Sequence, residues 1–292
     1  HCVFWPGLAR LVRRYVATCD LCQRRKTSSL LPAGHLQSID IPAEPFYRVG
    51  LDLLGLFPTS TLGNKWIAVI TDYATRYAIT RALPTSCATD VADLLRDVIL
   101  IHGALKQLLT DRGRTFLSQV IADILHSCSM QHTLTTAYHP QTNGLTERFN
   151  RTFTNMLAMY VSPDHRDWDL ALLYAAFAYN SSRHDTVGFS PFYLLYGREP
   201  TLPLDTVISA HTSSTSVYAR DAIARADHAR QLARARLMAS QTNQCRRYDA
   251  EHRDVRFAPG TLVLLWSPHR RLGLSEKLLS HYTGPYRILR QV

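Results

Sequence analysis

Three acidic residues stand in contexts that suit metal-dependent chemistry. Asp52 lies within the apolar segment V-G-L-D-L-L-G, and Asp111 ends a second apolar run in L-L-T-D-R-G-R-T-F. Glu147 follows in G-L-T-E-R-F-N-R-T, at the start of an amphipathic helical pattern. Two Mg²⁺ ions about 3.5–4 Å apart can stabilise the attacking and leaving oxygens of a phosphodiester, and a few carboxylates hold them. The three acids therefore predict a phosphoryl-transfer site that uses Mg²⁺ or Mn²⁺.

Each acid has a predicted role and an alternative. Asp52 is expected to bridge the two ions, because a strand holds it rigidly, and Asp111 and Glu147 would each complete one ion. Asp72 competes for the role of Asp52, since it also ends an apolar strand. Glu147 taken alone could be a surface residue that interacts with the helix dipole.

The helix that carries Glu147 has two contrasting faces. Its apolar stripe consists of Phe149, Phe153, Met156, Leu157 and Tyr160. The opposite face carries Glu147, Asn150, Arg151 and Thr154. Asn143 is a suitable N-cap for this helix, and Pro140 and Gly144 break the preceding segment. Glu147 is therefore expected one turn into the helix, away from the core.

Strands and helices alternate around these acids. Strands are predicted at 49–55, 65–72, 76–83, 106–111 and 131–136, and helices at 85–103 and 115–128. A further helical pattern follows that of Glu147, whereas 188–205 reads as loop-rich because it contains three prolines. Three antiparallel strands followed by alternating helices and strands predict an α/β fold, a mixed sheet with helices on both faces.

Two flanking segments carry further candidate sites. Cys19-x-x-Cys22 can place two thiolates on one tetrahedral zinc ion, which needs four ligands. A helical pattern at 216–248 carries regularly spaced arginines, among them Arg225, Arg230, Arg234 and Arg236. Such arginines could follow DNA phosphates, or they could form the solvated face of a connecting or oligomerising helix.

The order of these motifs resembles the integrase region of polyproteins from gypsy-like long-terminal-repeat retrotransposons. Besides the phrases around the three acids, the resemblance rests on C-D-L-C-Q (19–23), A-Y-H-P-Q-T-N-G (137–144), G-F-S-P-F-Y-L-L-Y-G-R-E-P (188–200) and Y-T-G-P-Y-R-I-L (282–289). It implies a ribonuclease-H-like core, an Asp-Asp-Glu metal site and DNA as the substrate. The phrase L-D-L-L-G also favours Asp52 over Asp72.

The resemblance also implies small domains at both ends. The family has a His-His-Cys-Cys zinc domain, and F-W-P-G (4–7) looks like the segment that follows its His pair. We therefore expect the His half to be missing here, with Zn²⁺ bound only if those ligands are supplied. Neither His1 nor Cys2 is expected to replace them. The β patterns at 261–266 and 286–289 look like the start of an SH3-like barrel that the chain leaves incomplete.

These inferences give five predicted segments. They are a partial zinc-binding domain at 1–30, a linker at 31–45, a ribonuclease-H-like catalytic core at 46–205, a basic helical connector at 206–256 and a partial SH3-like module at 257–292. The net charge of +10 fits a polyanionic partner. No apolar run approaches 18 residues, and no secretory signal opens the chain, so neither a membrane partner nor secretion is expected.

The expected function is DNA integration by 3′-end processing and strand transfer, carried out by a homo-oligomer in the nucleus. Further DNA contacts are predicted for the loop residues His139, Gln141 and Asn143 and for Arg148 and Arg151 on the adjoining helix. Two alternatives stay open, a nuclease of the same fold such as a ribonuclease H, and an inactive integrase fragment that only binds DNA.

Overall fold

The computed structural model describes residues 4–25, 34–36, 38–135, 144–201, 215–266, 275 and 279–290. Contacts divide the chain into two compact units. The larger is Gln37–Gln244, and the smaller joins His1–Leu36 with Cys245–Val292. The five-segment division stays a prediction.

A five-stranded mixed sheet forms the centre of the larger unit, in the order β3-β2-β1-β4-β5. Strands β1 (Arg48–Leu54), β2 (Trp66–Asp72) and β3 (Ala78–Leu83) are antiparallel neighbours. Strand β4 (Gln107–Thr110) runs parallel to β1, and β5 (Gln131–Leu134) runs parallel to β4. The predicted mixed sheet is confirmed, and each strand boundary lies within two residues of its expected position.

Helices cover both faces of this sheet, as expected. One face packs on α3 (Ala88–His102) and α4 (Gln119–Ser127), and the other on α5 (Gly144–Leu157) and α6 (Trp168–Ser181). Because side chains alternate along a strand, β1 serves both layers. Val49 and Leu51 belong to the core beneath α3 and α4, while Gly50 and Asp52 face α5.

Several predicted helices begin or end differently in the structure, and α3 begins at Ala88 rather than at 85. Helix α4 begins at Gln119, not at 115, because Phe116 N and Leu117 N both bond to Gly113 O in a turn. On α5, Phe149, Phe153 and Leu157 are buried as expected. Tyr160 lies beyond the end of α5 and is exposed, so its place in the apolar stripe was wrong.

The prediction that 188–205 is loop-rich was also wrong in part, because it contains α7 (Pro191–Tyr196). Ser190 caps this helix by accepting a hydrogen bond from Tyr193 N at 2.9 Å, and Pro191 fits the first turn, where no intrahelical N–H bond is lost. Helix α8 (Thr215–Ala250) matches the predicted long helix. It packs through a row of small residues, Ala229 and Ala233, against Leu194 of α7.

The smaller unit contains α1 (Leu8–Thr18), α2 (Asp20–Arg25), β6 (Leu262–Trp266) and β7 (Tyr282–Arg287). Strands β6 and β7 pair antiparallel. Helix α2 lies against β7, where Arg24 Nη2 donates to Gly284 O at 2.8 Å and His281 N donates to Arg24 O at 2.9 Å. An SH3-like barrel stays a prediction. Among the described helices, none combines the length and the apolar character needed to cross a bilayer.

Candidate active site

Asp52 lies within β1, and Asp111 directly follows β4, the parallel neighbour of β1. The register of β1 and β4 pairs Gly50 with Leu109, so that two residues further along each strand lie Asp52 and Asp111. Asp52 is half-buried within β1, whereas Asp111 directly follows β4 and is exposed. Side chains in corresponding positions of parallel strands point to the same face. The two central strands therefore carry Asp52 and Asp111 towards the same end of the sheet, and the convergence of their carboxylates stays a prediction.

The loop after β4 holds Asp111 in a turn. Asp111 Oδ1 accepts a hydrogen bond from Gly113 N at 2.8 Å, and the Thr110 hydroxyl donates to Asp111 O at 2.9 Å. A Cβ at Gly113 would lie 2.9 Å from that same Oδ1, so glycine keeps space for the carboxylate.

Helix α5 lies directly on β1 through two contacts. Thr146 is buried on Gly50, where the absence of a side chain leaves room for the Thr146 hydroxyl. One helical turn later, Asn150 Nδ2 donates to Asp52 Oδ2 at 2.7 Å. The prediction that Asn150 faces away from the core was wrong, since it is only 9% exposed. These contacts fix the position of α5 over the first acid.

Glu147 belongs to α5, between Thr146 and Asn150 in sequence, but its side chain lies outside the described residues. The helix backbone brings this position to the part of β1 that carries Asp52, because its neighbours Thr146 and Asn150 both contact that strand. The convergence of all three carboxylates stays a prediction.

Asp72 has a different environment from Asp52. Its carboxylate is fully buried and accepts hydrogen bonds from Phe46 N, Thr75 N and the Thr75 hydroxyl at 3.0, 2.9 and 2.6 Å. Burial raises the pKa of Asp72, although these bonds lower it in part. A carboxylate enclosed in this way closes the turn between β2 and β3 and offers no oxygen to a metal.

The donor set around Asp52 suits a hard divalent ion. Carboxylate and amide oxygens are the ligands that Mg²⁺ and Mn²⁺ prefer. Asn150 Oδ1 is buried beside Asp52 without a hydrogen-bond partner among the described residues. Within that part of the chain, no three His, Cys, Asp or Glu residues form a metal-binding group. The residues present fit a metal pair that Glu147 would complete.

Cys19 and Cys22 lie together, as the C-x-x-C spacing predicts. Hydrogen bonds from the backbone and then the side chain of Cys22 lower the pKa of the Cys19 thiol. Neither cysteine forms a disulfide among the described residues, and both are partly exposed. They can supply two of the four ligands of a zinc site, and His1 and Cys2 lie outside the described residues.

The candidate DNA-binding residues fall into three groups. His139, Gln141 and Asn143 lie outside the described residues, while Arg148, Arg151 and Arg225 are exposed on their helices. Three arginines of α8 bond to backbone carbonyls in the larger unit. Arg230 donates to Leu194 O and Leu195 O, Arg234 to Ile41 O, and Arg236 to Val187 O, at 2.8–3.0 Å. These contacts secure α8, and DNA binding by these arginines stays a prediction.

Sequence reasoning missed several residues around the acids. The sequence could have predicted the position of Asn150 near the acids, since Asn150 lies three residues after Glu147 on the same helical face. The indication for Gly50 was weaker and consisted of its position two residues before Asp52, on the same side of the strand. Nothing in the spacing linked Arg76 or His184 to this region, where the charge of Arg148 contributes to lowering the pKa of both side chains.

Two family models match the chain. Residues 42–140 match the integrase core domain, a span that includes Asp52 and Asp111, and residues 1–28 match the integrase zinc binding domain. The chain is 28% identical over 291 residues to the retrovirus-related Pol polyprotein from transposon 412 of Drosophila melanogaster. It is 25% identical over 292 residues to the transposon Tf2-3 polyprotein of Schizosaccharomyces pombe. Both alignments cover 98% of this chain, which spans 23% and 21% of the two polyproteins.

One solved structure supports the same fold. It is described as the cryo-EM structure of the simian T-cell lymphotropic virus intasome in complex with PP2A regulatory subunit B56 gamma. The superposition has a TM-score of 0.50 at 19% identity, and it covers 71% of this chain and 72% of the other. The predicted ribonuclease-H-like integrase fold is confirmed.

Proposed function

We propose that this chain, which contains the integrase core domain at residues 42–140 and is related to retrotransposon polyproteins, is a retrotransposon integrase. It trims the 3′ ends of a DNA donor and joins them to target DNA. Both steps are phosphoryl transfers, in which an oxygen nucleophile replaces an oxygen leaving group on a DNA phosphodiester.

The observation that supports this proposal is the position of Asp52 on β1 and of Asp111 directly after β4, the parallel neighbour of β1. Helix α5 packs on the same strand and bonds to Asp52 through Asn150, with Glu147 one helical turn before it. Two strands and a helix are the elements from which the sequence predicts the Asp-Asp-Glu site. The integrase core match covers the two aspartates.

In this site Asp52, Asp111 and Glu147 would hold a pair of Mg²⁺ or Mn²⁺ ions. When bound, the pair supplies a nucleophile at neutral pH and stabilises both the attacking and the leaving oxygen. Asp52 would serve as a metal ligand there, with a carboxylate whose position β1 and the Asn150 amide fix. The Gly113 N–H holds one oxygen of Asp111, so that its orientation is set before metal binds.

The proposal includes partners and a second metal. Donor and target DNA are the substrates, and the net charge of +10 favours their association. Cys19 and Cys22 would bind Zn²⁺ only together with two histidines. We further propose that the protein acts as a homo-oligomer in the nucleus.

A strand-transfer assay with a labelled donor duplex tests this function, first with Mg²⁺ and then with Mn²⁺. The wild-type chain should join the donor to a target plasmid, and Asp111→Asn should lower the rate more than about a hundredfold, beyond the loss that supporting residues cause. Asp123→Asn is the matched control, since Asp123 lies on α4, across the sheet from α5. Circular dichroism should show that both variants fold.

Three results would overturn the proposal. Strand transfer that Asp111→Asn leaves unchanged would exclude this site. Cleavage of an RNA–DNA hybrid without any strand transfer would identify a nuclease of the same fold. DNA binding without either reaction, under both metals, would identify a binding protein that lacks catalysis.

A further inference from the structure

The segment that carries Asp111 is bonded to the end of strand β5. Thr135 N donates to Thr110 O at 2.9 Å, and Arg112 Nε donates to Thr135 O at 3.2 Å. After β5 the chain continues to α5, which carries Glu147. The segment of the second acid is therefore fastened to the strand that precedes the third acid along the chain.

A network of side-chain hydrogen bonds joins β5 to the backbone of Asp111. The Thr110 hydroxyl donates to Asp111 O at 2.9 Å, and the same hydroxyl oxygen lies 2.9 Å from His132 Nε2. Thr110 is completely buried, and His132 is half-buried on β5. An imidazole is thereby connected to the second acid through one buried hydroxyl.

The number of available hydrogens sets the direction of this network. A hydroxyl has one hydrogen to donate and lone pairs that accept, whereas a carbonyl oxygen only accepts. Because the Thr110 hydroxyl donates to Asp111 O, it accepts from His132 Nε2. Burial lowers the pKa of His132, so its imidazole is neutral at neutral pH and carries a hydrogen on one nitrogen. The network requires that hydrogen on Nε2.

The network lies on the face of the sheet that α3 and α4 cover. Leu108 of β4 belongs to the core beneath these helices. Thr110 follows Leu108 by two residues and shares its side of the strand, and His132 is the register partner of Leu108 on β5. Asp52 receives its hydrogen bond from Asn150 on the α5 side. The two aspartates are therefore supported from different layers of the fold.

We propose that His132 is a positioning residue for Asp111 and acts through the hydroxyl of Thr110. By donating to the hydroxyl oxygen, the imidazole keeps the hydroxyl hydrogen directed at Asp111 O. This bond fixes the backbone from which the carboxylate extends, and Gly113 N then donates to Asp111 Oδ1 at 2.8 Å. The inference rests on the proposed function, because it names how one ligand of the same metal site is held.

Losing the imidazole donor should weaken metal binding while all the proposed ligands stay in place. Successive hydrogen bonds polarise one another, so the bond from Thr110 to Asp111 O weakens when His132 no longer donates. Groups that orient metal ligands are worth about 10–100-fold in metal affinity. Because His132 acts through a second residue, we expect the lower end of that range, about tenfold.

The first test determines the direction of the network by NMR of the full chain labelled with ¹⁵N-histidine, at neutral pH and in EDTA. The signals of His132 are identified by their absence in His132→Gln. They should show a protonated Nε2 and an unprotonated Nδ1 in wild type. In Thr110→Val, which lacks the accepting hydroxyl, this tautomer preference should be lost. A wild-type imidazole protonated on Nδ1 would overturn the proposal.

The second test measures Mn²⁺ affinity from the electron paramagnetic resonance signal of the unbound ion, for the component of binding that Asp111→Asn removes. His132→Phe keeps a ring of similar size but cannot donate, and should weaken this component about tenfold. His132→Gln retains an N–H donor and should recover most of the affinity. Thr133→Val is the matched control. It removes a bond from Gln107 Nε2, 2.6 Å long, on the other face of the same two strands, and should leave the affinity unchanged.

A double variant tests whether His132 acts through Thr110. Thr110→Val should weaken Mn²⁺ binding by at least as much as His132→Phe, since it removes the bond to Asp111 O itself. The double variant His132→Phe/Thr110→Val should bind Mn²⁺ as Thr110→Val does, because residues of one hydrogen-bond network are not additive. Losses that multiply in the double variant would overturn the action through Thr110.

The remaining outcomes separate this inference from the proposed function. His132→Phe with wild-type affinity, or Thr133→Val with the same loss as His132→Phe, would overturn the positioning role and leave the proposed function standing. A His132→Gln protein as weak as His132→Phe would also overturn it, because a donor at this position would then be irrelevant. Wild-type Mn²⁺ binding that Asp111→Asn does not reduce would refute the metal site and, with it, the proposed function.

Discussion

Gly50 should be essential for the contact between α5 and β1. In Gly50→Ala the new Cβ would lie 2.7 Å from Thr146 Oγ1 and 3.2 Å from Tyr73 Cε2. Carbon and oxygen atoms do not approach to 2.7 Å without displacement, and Thr146 is completely buried. Either the first turn of α5 must move away from the sheet, or the Thr146 and Tyr73 side chains must leave their positions.

The expected cost follows from the size of this overlap. Inserting one methyl group into a packed core typically costs about 1–3 kcal/mol. Thr146→Ala removes the atom that collides, and by itself it costs no more than the hydrogen bond between the Thr146 and Tyr73 hydroxyls, about 1 kcal/mol. The double variant Gly50→Ala/Thr146→Ala should therefore recover most of the lost stability. Displacing α5 also moves Glu147, and a misplacement of about 1 Å can cost roughly a hundredfold in rate.

Guanidinium unfolding of the full chain, followed by circular dichroism, measures the four free energies of this cycle. The interaction energy between the two positions should be at least about 1 kcal/mol and favourable to the double variant. The strand-transfer rate should fall in Gly50→Ala and recover in the double variant. A Gly50→Ala protein as stable as wild type, or one that Thr146→Ala does not rescue, would refute the described packing of α5 on β1.

Three other predictions address the surroundings of the site. Asn150→Ala removes the hydrogen bond to Asp52 and should lower the strand-transfer rate about tenfold or more, so an unchanged rate would show that Asp52 needs no support. Burial raises the pKa of Asp72 in the folded protein above its ordinary value of about 3.9. The contribution of Asp72 to the free energy of unfolding is therefore fully present below that ordinary pKa, and it is lost as pH rises through the folded pKa. In Asp72→Asn the free energy of unfolding should therefore fall less with rising pH over that range than it does in wild type. The same pH dependence in both proteins would contradict this. Gly197→Ala should lower the unfolding midpoint, because Gly197 has a φ of 72° and its Cβ would lie 2.3 Å from Ala222 O, while an unchanged midpoint would argue against this approach of α7 and α8.

The sheet was predictable because its strands are short apolar runs with β-branched residues and clear turns. The local pattern did not separate Asp52 from Asp72, since each lies in or ends such a strand. The two aspartates differ in their contacts in the folded chain, which the local pattern does not show. Asp72 meets N–H and hydroxyl donors from Phe46 and Thr75, whereas Asp52 meets the amide of Asn150, 98 residues further along the chain.

The arginines of α8 show a second limit of sequence reasoning. A regular row of arginines looks the same in sequence whether it meets phosphates, solvent or carbonyl oxygens. In the structure Arg230 bonds to the carbonyls of Leu194 and Leu195 near the end of α7, where a helix leaves such groups unpaired.

The most direct test of the central claim is metal-dependent rescue of strand transfer in Asp111→Cys. If Asp111 binds the metal, this variant should lose more than about a hundredfold of the rate with Mg²⁺, and softer ions such as Mn²⁺ or Cd²⁺ should restore part of it, because a thiolate favours them. Asp123→Cys, prepared in parallel, should respond to the ions as wild type does. Full activity of Asp111→Cys with Mg²⁺, or the same relative loss with every ion, would contradict metal binding by Asp111.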